Sequence, residues 1–192
     1  MATVSAVLVS ASILGAVAIH DDSPTEQQQQ QDLLVSNSQS SRVENLRFVR
    51  TLSSPNAHVR RPLRGIDLAN QNLSGLQLPS ANLVDAQLMG AFLVGVYLTD
   101  ADLTHATLAG ANASGVNLYN ASMYGTNLAG VDFSGAYMRH ANLTHSDLSG
   151  AILIGADLFE ADLTGVNLDG ACWDDSTRWP TDFGAIHAPR SC

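Results

Sequence analysis

The chain has 192 residues, of which 45% are apolar and 14% charged, with a net charge of −9 and no lysine. That suffices for one domain with a buried core and excludes a wholly disordered polymer. Net acidity argues against a protein whose task is to grip nucleic-acid phosphates. The charge is also segregated: residues 42–64 hold six Arg against one acid, whereas residues 66–175 hold twelve acids against Arg139 alone.

Residues 1–20 open the chain with an uncharged stretch from Ala2 to Ile19. Eighteen helical residues reach about 27 Å, close to a hydrocarbon core of about 30 Å. A buried core helix would carry a polar face; here the polar members are small (Thr3, Ser5, Ser10, Ser12), as a membrane helix tolerates. Ala16-Val17-Ala18 fits a signal-peptide cleavage site, although no basic segment precedes it. The segment is read as a transmembrane anchor through residues 2–19, with a cleaved signal segment and a secreted product as the alternative. Either places the remainder at or beyond a membrane, on the extracytoplasmic side.

Residues 21–41 are polar, low in complexity and include five consecutive Gln, the composition of a flexible linker. Residues 42–65 are expected to form a short cap helix and a basic neck. Ser41-Arg42-Val43-Glu44 is a capping-box pattern, after which Val43, Leu46, Val49 and Leu52 recur near the helical period. Ser53-Ser54-Pro55-Asn56 ends it. The Arg residues could meet lipid headgroups or an acidic partner; the stronger reading is that they neutralise the acidic segment downstream.

From Ile66 to Asp175 the chain repeats every five residues, 22 times without a break. Leu holds 17 of the 22 central positions, and Ala113, Met123, Phe133, Met138 and Trp173 fill the others. Ala or Val stands two residues before the centre in 17 units, Asp or Asn one before in 13, and Gly closes 12. A five-residue step on an α-helix would spread Leu around every face, and on a straight strand it would alternate Leu between faces. One buried stripe results only if the chain turns a corner in every unit, with the closing Gly or polar residue at the corner. Such coils stack at the strand spacing of about 4.8 Å into a solenoid.

Units such as Ala101-Asp102-Leu103-Thr104-His105 and Ala161-Asp162-Leu163-Thr164-Gly165 resemble the pentapeptide-repeat family. The resemblance implies an all-β solenoid, a right-handed quadrilateral β-helix with four units per coil, hence about five and a half coils over residues 66–175. The rod would be roughly 26 Å long. The segment from Trp173 to Pro180 is similar to C-terminal ends in that family, so residues 176–192 are read as a cap and tail over the last open edge.

Chemistry is sparse. His105, His140 and His145 occupy closing positions; the first and last share a side but lie two coils apart, about 10 Å, too far for one metal. No motif sets a nucleophile beside a base in a pocket, and a filled solenoid has no cavity. The chain is therefore read as a non-enzyme without cofactor or metal. The sequons at Asn72, Asn112, Asn120 and Asn142 are by-products of the repeat. Cys172 and Cys192 could form a disulfide that staples the tail, or remain two thiols.

With four units per coil, outward residues sort onto four faces, and the twelve acids fall three to each. Some pentapeptide-repeat proteins mimic DNA and inhibit type II topoisomerases, but that would call for a continuous acidic stripe. It stands as the alternative function, and nucleic-acid binding is not expected. One face differs: Tyr97, Tyr119, Tyr137 and Phe159 fall on it in four consecutive coils, together with Arg139. This is the composition of an interaction surface, although cross-strand aromatic ladders could also produce it. A weaker apolar patch, Phe92 and Val94 with Ile152 and Ile154, lies on another face and is split by two coils. The sequence is thus read as a membrane-tethered scaffold for an unknown protein partner, with an end-to-end dimer also open.

Overall fold

The computed structural model describes residues 39–56, 61–181 and 183. The membrane or signal segment, nearly all of the linker, and Cys192 fall outside that range. Among the described residues no helix is long and apolar enough to cross a membrane.

The coil is built from parallel bridges that join each residue preceding a unit centre to the residue twenty further on, from Pro62–Asn82 to Ile152–Cys172. Twenty residues are four units, so each turn of the solenoid has four sides. The bridges are isolated residues, not extended strands, so the β character is confined to one rung per side. Pairing starts one unit earlier than the sequence suggests. Arg61-Pro62-Leu63-Arg64-Gly65 forms the first side, with Leu63 2% exposed.

The local reason for the repeat is an accounting of backbone N–H groups. In a representative unit, Leu103 N–H donates to Ser122 O on the next coil, and Asp102 N–H to Ala81 O on the previous one. His105 N–H also reaches forward, to Tyr124 O, and Ala106 N–H closes a turn onto Leu103 O. That leaves the N–H of the residue after the centre. All thirteen Asp or Asn residues that precede a centre in residues 66–170 accept this donor, at 2.9–3.2 Å. This is an Asx turn, which side chains of this length can make two residues on. The corner itself needs a left-handed backbone: every closing position from Gly65 to Gly170 has positive φ, including His105, His145 and Glu160.

Inside, central Leu and preceding Ala fill one continuous core, with Met123, Phe133 and Met138 each 0% exposed. Two buried hydroxyls interrupt the small apolar positions and are satisfied locally: Thr126 donates to Leu103 O at 2.9 Å and Ser146 to Leu143 O at 2.6 Å.

Helix α1, Gln39–Leu52, covers the first coil. It begins two residues before Ser41, so the expected capping box lies within the first turn. Val49 is fully buried and Leu46, Phe48 and Leu52 pack against the core, but Val43 is 53% exposed and Asn45 takes a buried position instead. The reason is polar: Asn45 Nδ2 donates to Asp67 O at 2.9 Å, and Arg42 Nε meets the buried Asp67 carboxylate at 2.8 Å. Arg64 pairs with Asp85 at 2.7 Å, and buried Arg61 donates to the carbonyls of Leu52, Ser54, Asn56 and Pro79. Burial lowers the Arg61 pKa below its usual value. Neck arginines thus do neutralise the coil, while Arg47 stays exposed.

At the other end the period slips. Asp157 pairs with Arg178, a spacing of 21 instead of 20, because the last unit holds one extra residue. Thr177 fills the inward position and donates to Leu153 O at 2.8 Å. Trp173 then meets Trp179 edge-on and Trp179 stacks on Phe183 across the end, with ring centroids 5.4 and 5.2 Å apart. An end-to-end dimer through bare coil edges therefore meets covered ends. Cys172, at the position that precedes its unit's centre, is 8% exposed and disulfide-bonded. The expected partner, Cys192, lies outside the described residues.

Candidate functional site

The twenty-residue coil places Tyr97, Tyr119, Tyr137, Arg139 and Phe159 on one side, as the sequence reading expects. The row preceding the unit centres runs Gln77, Tyr97, Asn117, Tyr137, Asp157 and Arg178, each bridged to the next. The row after the centres brings Tyr119, Arg139 and Phe159 into succession along the rod. Tyr97, Tyr119 and Tyr137 are 47%, 45% and 58% exposed.

Their surroundings differ. Tyr119 meets His140 edge-on, with centroids 5.2 Å apart, and His140 Nδ1 lies 3.0 Å from Glu160. Phe159 lies beneath two guanidinium groups, Arg139 at 4.8 Å and Arg178 at 5.5 Å, a cation–π geometry. Arg178 also pairs with Asp157 at 3.0 Å, and Asp100 accepts from Asn120 at 2.7 Å. Each acid on this face is therefore engaged. Tyr97 and Tyr137, by contrast, make no ring contact and no side-chain hydrogen bond among the described residues.

Two participants escape a reading by fives. Arg178 reaches this face only through the extra residue in the last unit. Tyr124 sits between His105 and His145 on the next side, edge-on to both at 5.5 and 5.6 Å. Counting coils separates the two His, but the intervening ring makes them one ladder.

A further concavity of about 620 Å³ opens at the C-terminal end, between Glu160–Thr164 and Pro180, Thr181 and Phe183. The Thr164 hydroxyl and N–H hold Asp162 below the ordinary carboxylate pKa. With Glu160 held by His140, these carboxylates are structural acceptors.

A parallel solenoid of four-sided, twenty-residue coils with Leu at most centres is a defined class of repeat protein. The family model for pentapeptide repeats (8 copies) matches the chain three times, at residues 63–100, 97–135 and 136–172, together more than half of its length. The chain belongs to the pentapeptide-repeat family. It is similar to a crystal structure of a pentapeptide repeat protein from Nostoc PCC 7120, at 33% identity over 55% of this chain and 78% of that one, TM-score 0.44. A pentapeptide repeat protein from Cyanothece 51142 is 26% identical over 59% and 90%, TM-score 0.37. One from the Arabidopsis thaliana thylakoid lumen is 28% identical over 58% and 68%, TM-score 0.30. No curated protein matches the chain.

Proposed function

We propose that this protein is a non-enzymatic, membrane-tethered scaffold that binds a protein partner through Tyr97, Tyr119, Tyr137, Arg139 and Phe159. The observation that carries the reading is the state of Tyr97 and Tyr137. A ladder that only stabilised neighbouring coils would have each ring packed on another, as in His105–Tyr124–His145. Tyr97 and Tyr137 are half-exposed and, among the described residues, packed on no ring. Exposed Tyr beside a stacked Arg is the residue chemistry enriched at interface centres.

Tethering rests on the uncharged run from Ala2 to Ile19, and an extracytoplasmic coil on the disulfide at Cys172, which suits an oxidising compartment. A photo-crosslinking residue at Tyr137 identifies the partner, which is then titrated as a purified protein. Tyr97→Ala with Tyr137→Ala is expected to weaken that titration about tenfold or more while leaving thermal unfolding unchanged; equal affinity would refute the face. Sequencing the mature N-terminus and fusing a topology reporter after Cys192 test the tether.

A further inference from the structure

The side of the coil preceding the tyrosine face carries Phe92, Val94 and Ile154, exposed by 50%, 41% and 38%, with Ile152 half-buried beside them. Along the rod this side runs Asn72 and Ser74, Phe92 and Val94, Asn112 and Ser114, Asp132 and Ser134, Ile152 and Ile154, then Cys172 and Asp174. The two apolar pairs lie three coils apart, about 14 Å, placed symmetrically about the midpoint between the Asn112 and Asp132 rungs.

We infer that this side is a homodimer surface, on which a second copy of the chain packs face to face with the rods antiparallel. A twofold axis crossing the rod at that midpoint lays Phe92 on the partner's Ile152 and Val94 on the partner's Ile154, and the reverse. It also lays Asn112 on the partner's Asp132. Each is half satisfied within its own chain. Asn112 Oδ1 accepts from Ser114, leaving its amide N–H₂ to donate; Asp132 Oδ1 accepts from Ser134 N–H, leaving Oδ2 to accept. At the ends, exposed Arg50, which donates to Asn72 O at 3.3 Å, comes over the partner's Asp174 and Asp175. Apolar meets apolar, donor meets acceptor and cation meets anion in one register. Parallel rods, related by an axis along the rod, would instead set Asn112 on the partner's Ser114 and Asp132 on its Ser134, and would keep Arg50 a rod's length from Asp174.

The corners bounding this side agree. After Asn70, whose side chain lies where a Cβ of Gly90 would stand, they are Gly90, Gly110, Gly130, Gly150 and Gly170 along one ridge, and Gly75, Gly95, Gly115, Gly135 and Gly155 along the other. The backbone there does not demand glycine, because the other two ridges hold Asn, Asp, His and Glu at the same positive φ. A Cβ at Gly95, Gly110, Gly115, Gly130 or Gly135 would meet nothing within 4 Å. Bare ridges do let a second rod approach closely. The face is about 24 Å long and one unit wide, well below the ~800 Å² per partner of stable interfaces. Dimerisation is therefore weak and concentration-dependent, and it leaves the tyrosine faces uncovered.

The test uses the full-length chain. Sedimentation is expected to show a reversible monomer–dimer equilibrium near about 100 μM, which Ile154→Arg weakens by about tenfold or more. Val94→Cys and Ile154→Cys chains are then oxidised separately and mixed, one of them carrying an affinity tag. A disulfide-linked dimer is expected only in the mixture, since like positions lie about 14 Å apart. A monomer throughout, or Val94→Cys linking to itself, would overturn the inference.

Discussion

Arg42 on the cap helix and Asp67 on the first full repeat unit form an ion pair in which the carboxylate is 1% exposed. Asp67 Oδ1 also accepts from Ala69 N–H, so one side chain serves both the coil and its cover. Removing one partner of a buried pair leaves a charge without compensation, at a cost of about 3 kcal/mol. Arg42→Ala is expected to lower stability by that order in urea titration. Joining it to Asp67→Asn should recover part of the loss, because an amide oxygen still caps Ala69.

The Asx turns predict which acids are dispensable as charges. Asp102, Asp147 and Asp162 accept the N–H of Thr104, Ser149 and Thr164. Changing all three to Asn keeps the acceptor and is expected to leave the unfolding midpoint nearly unchanged. Changing each to Ala removes it and should cost about 1 kcal/mol per site. Denaturant titration of the two series checks this.

Glycine corners separate into two kinds. A Cβ at Gly130 meets nothing within 4 Å, so Gly130→Ala carries only the left-handed penalty of about 1 kcal/mol. At Gly125 the Cβ would come within 2.8 Å of His105 Nδ1, so Gly125→Ala should also displace that ring from Tyr124. Equal losses of stability with an unchanged His105 imidazole resonance would contradict this.

Acid should loosen the C-terminal turn. The Ser176 hydroxyl, then the N–H groups of Ser176 and Gly155 and the Thr177 hydroxyl, hold the Asp174 carboxyl below its ordinary range. A carboxyl depressed in the folded state stabilises above its unfolded pKa, about 3.9, and loses that contribution as pH falls through the folded value. Emission from Trp173 and Trp179 is therefore expected to hold steady above about pH 4 and change below it. Asp174→Asn should flatten that change, since its amide oxygen accepts at any pH.

Phe133 fills a central position otherwise held mostly by Leu and is 0% exposed. Phe133→Ala should cost about 3–5 kcal/mol by opening a void in the core, and Phe133→Leu less than about 1.5. Thermal unfolding of the two variants ranks them.

Much of this architecture is legible in the sequence, because a solenoid repeats its physics locally. The Leu period announces the core, and Asp or Asn before each centre marks the Asx turn. Harder to read are places where a polar residue takes an apolar role. Arg61 stands where Ala is usual, so the first side at Leu63 is easily missed. Asn45 takes the buried place expected of Val43, because a backbone carbonyl of the coil needs a donor there. Tyr124 joins two His only through contacts between coils, which no single unit encodes. Arg178 joins Phe159 because one added residue shifts the frame.

The length of the coil also determines what an insertion or deletion would do. Excising residues 101–120 would join Asp100 to Ala121 and return every later side chain to the side it now occupies. The rod would be one storey shorter, with its tyrosine column reduced but straight. Excising residues 101–105 alone would leave every remaining Leu, corner and Asx turn in its place within a unit, yet rotate everything downstream by a quarter. Tyr137 and Phe159 would then stand around the corner from Tyr97. Folding tolerates steps of five, whereas a surface that spans several storeys survives only steps of twenty.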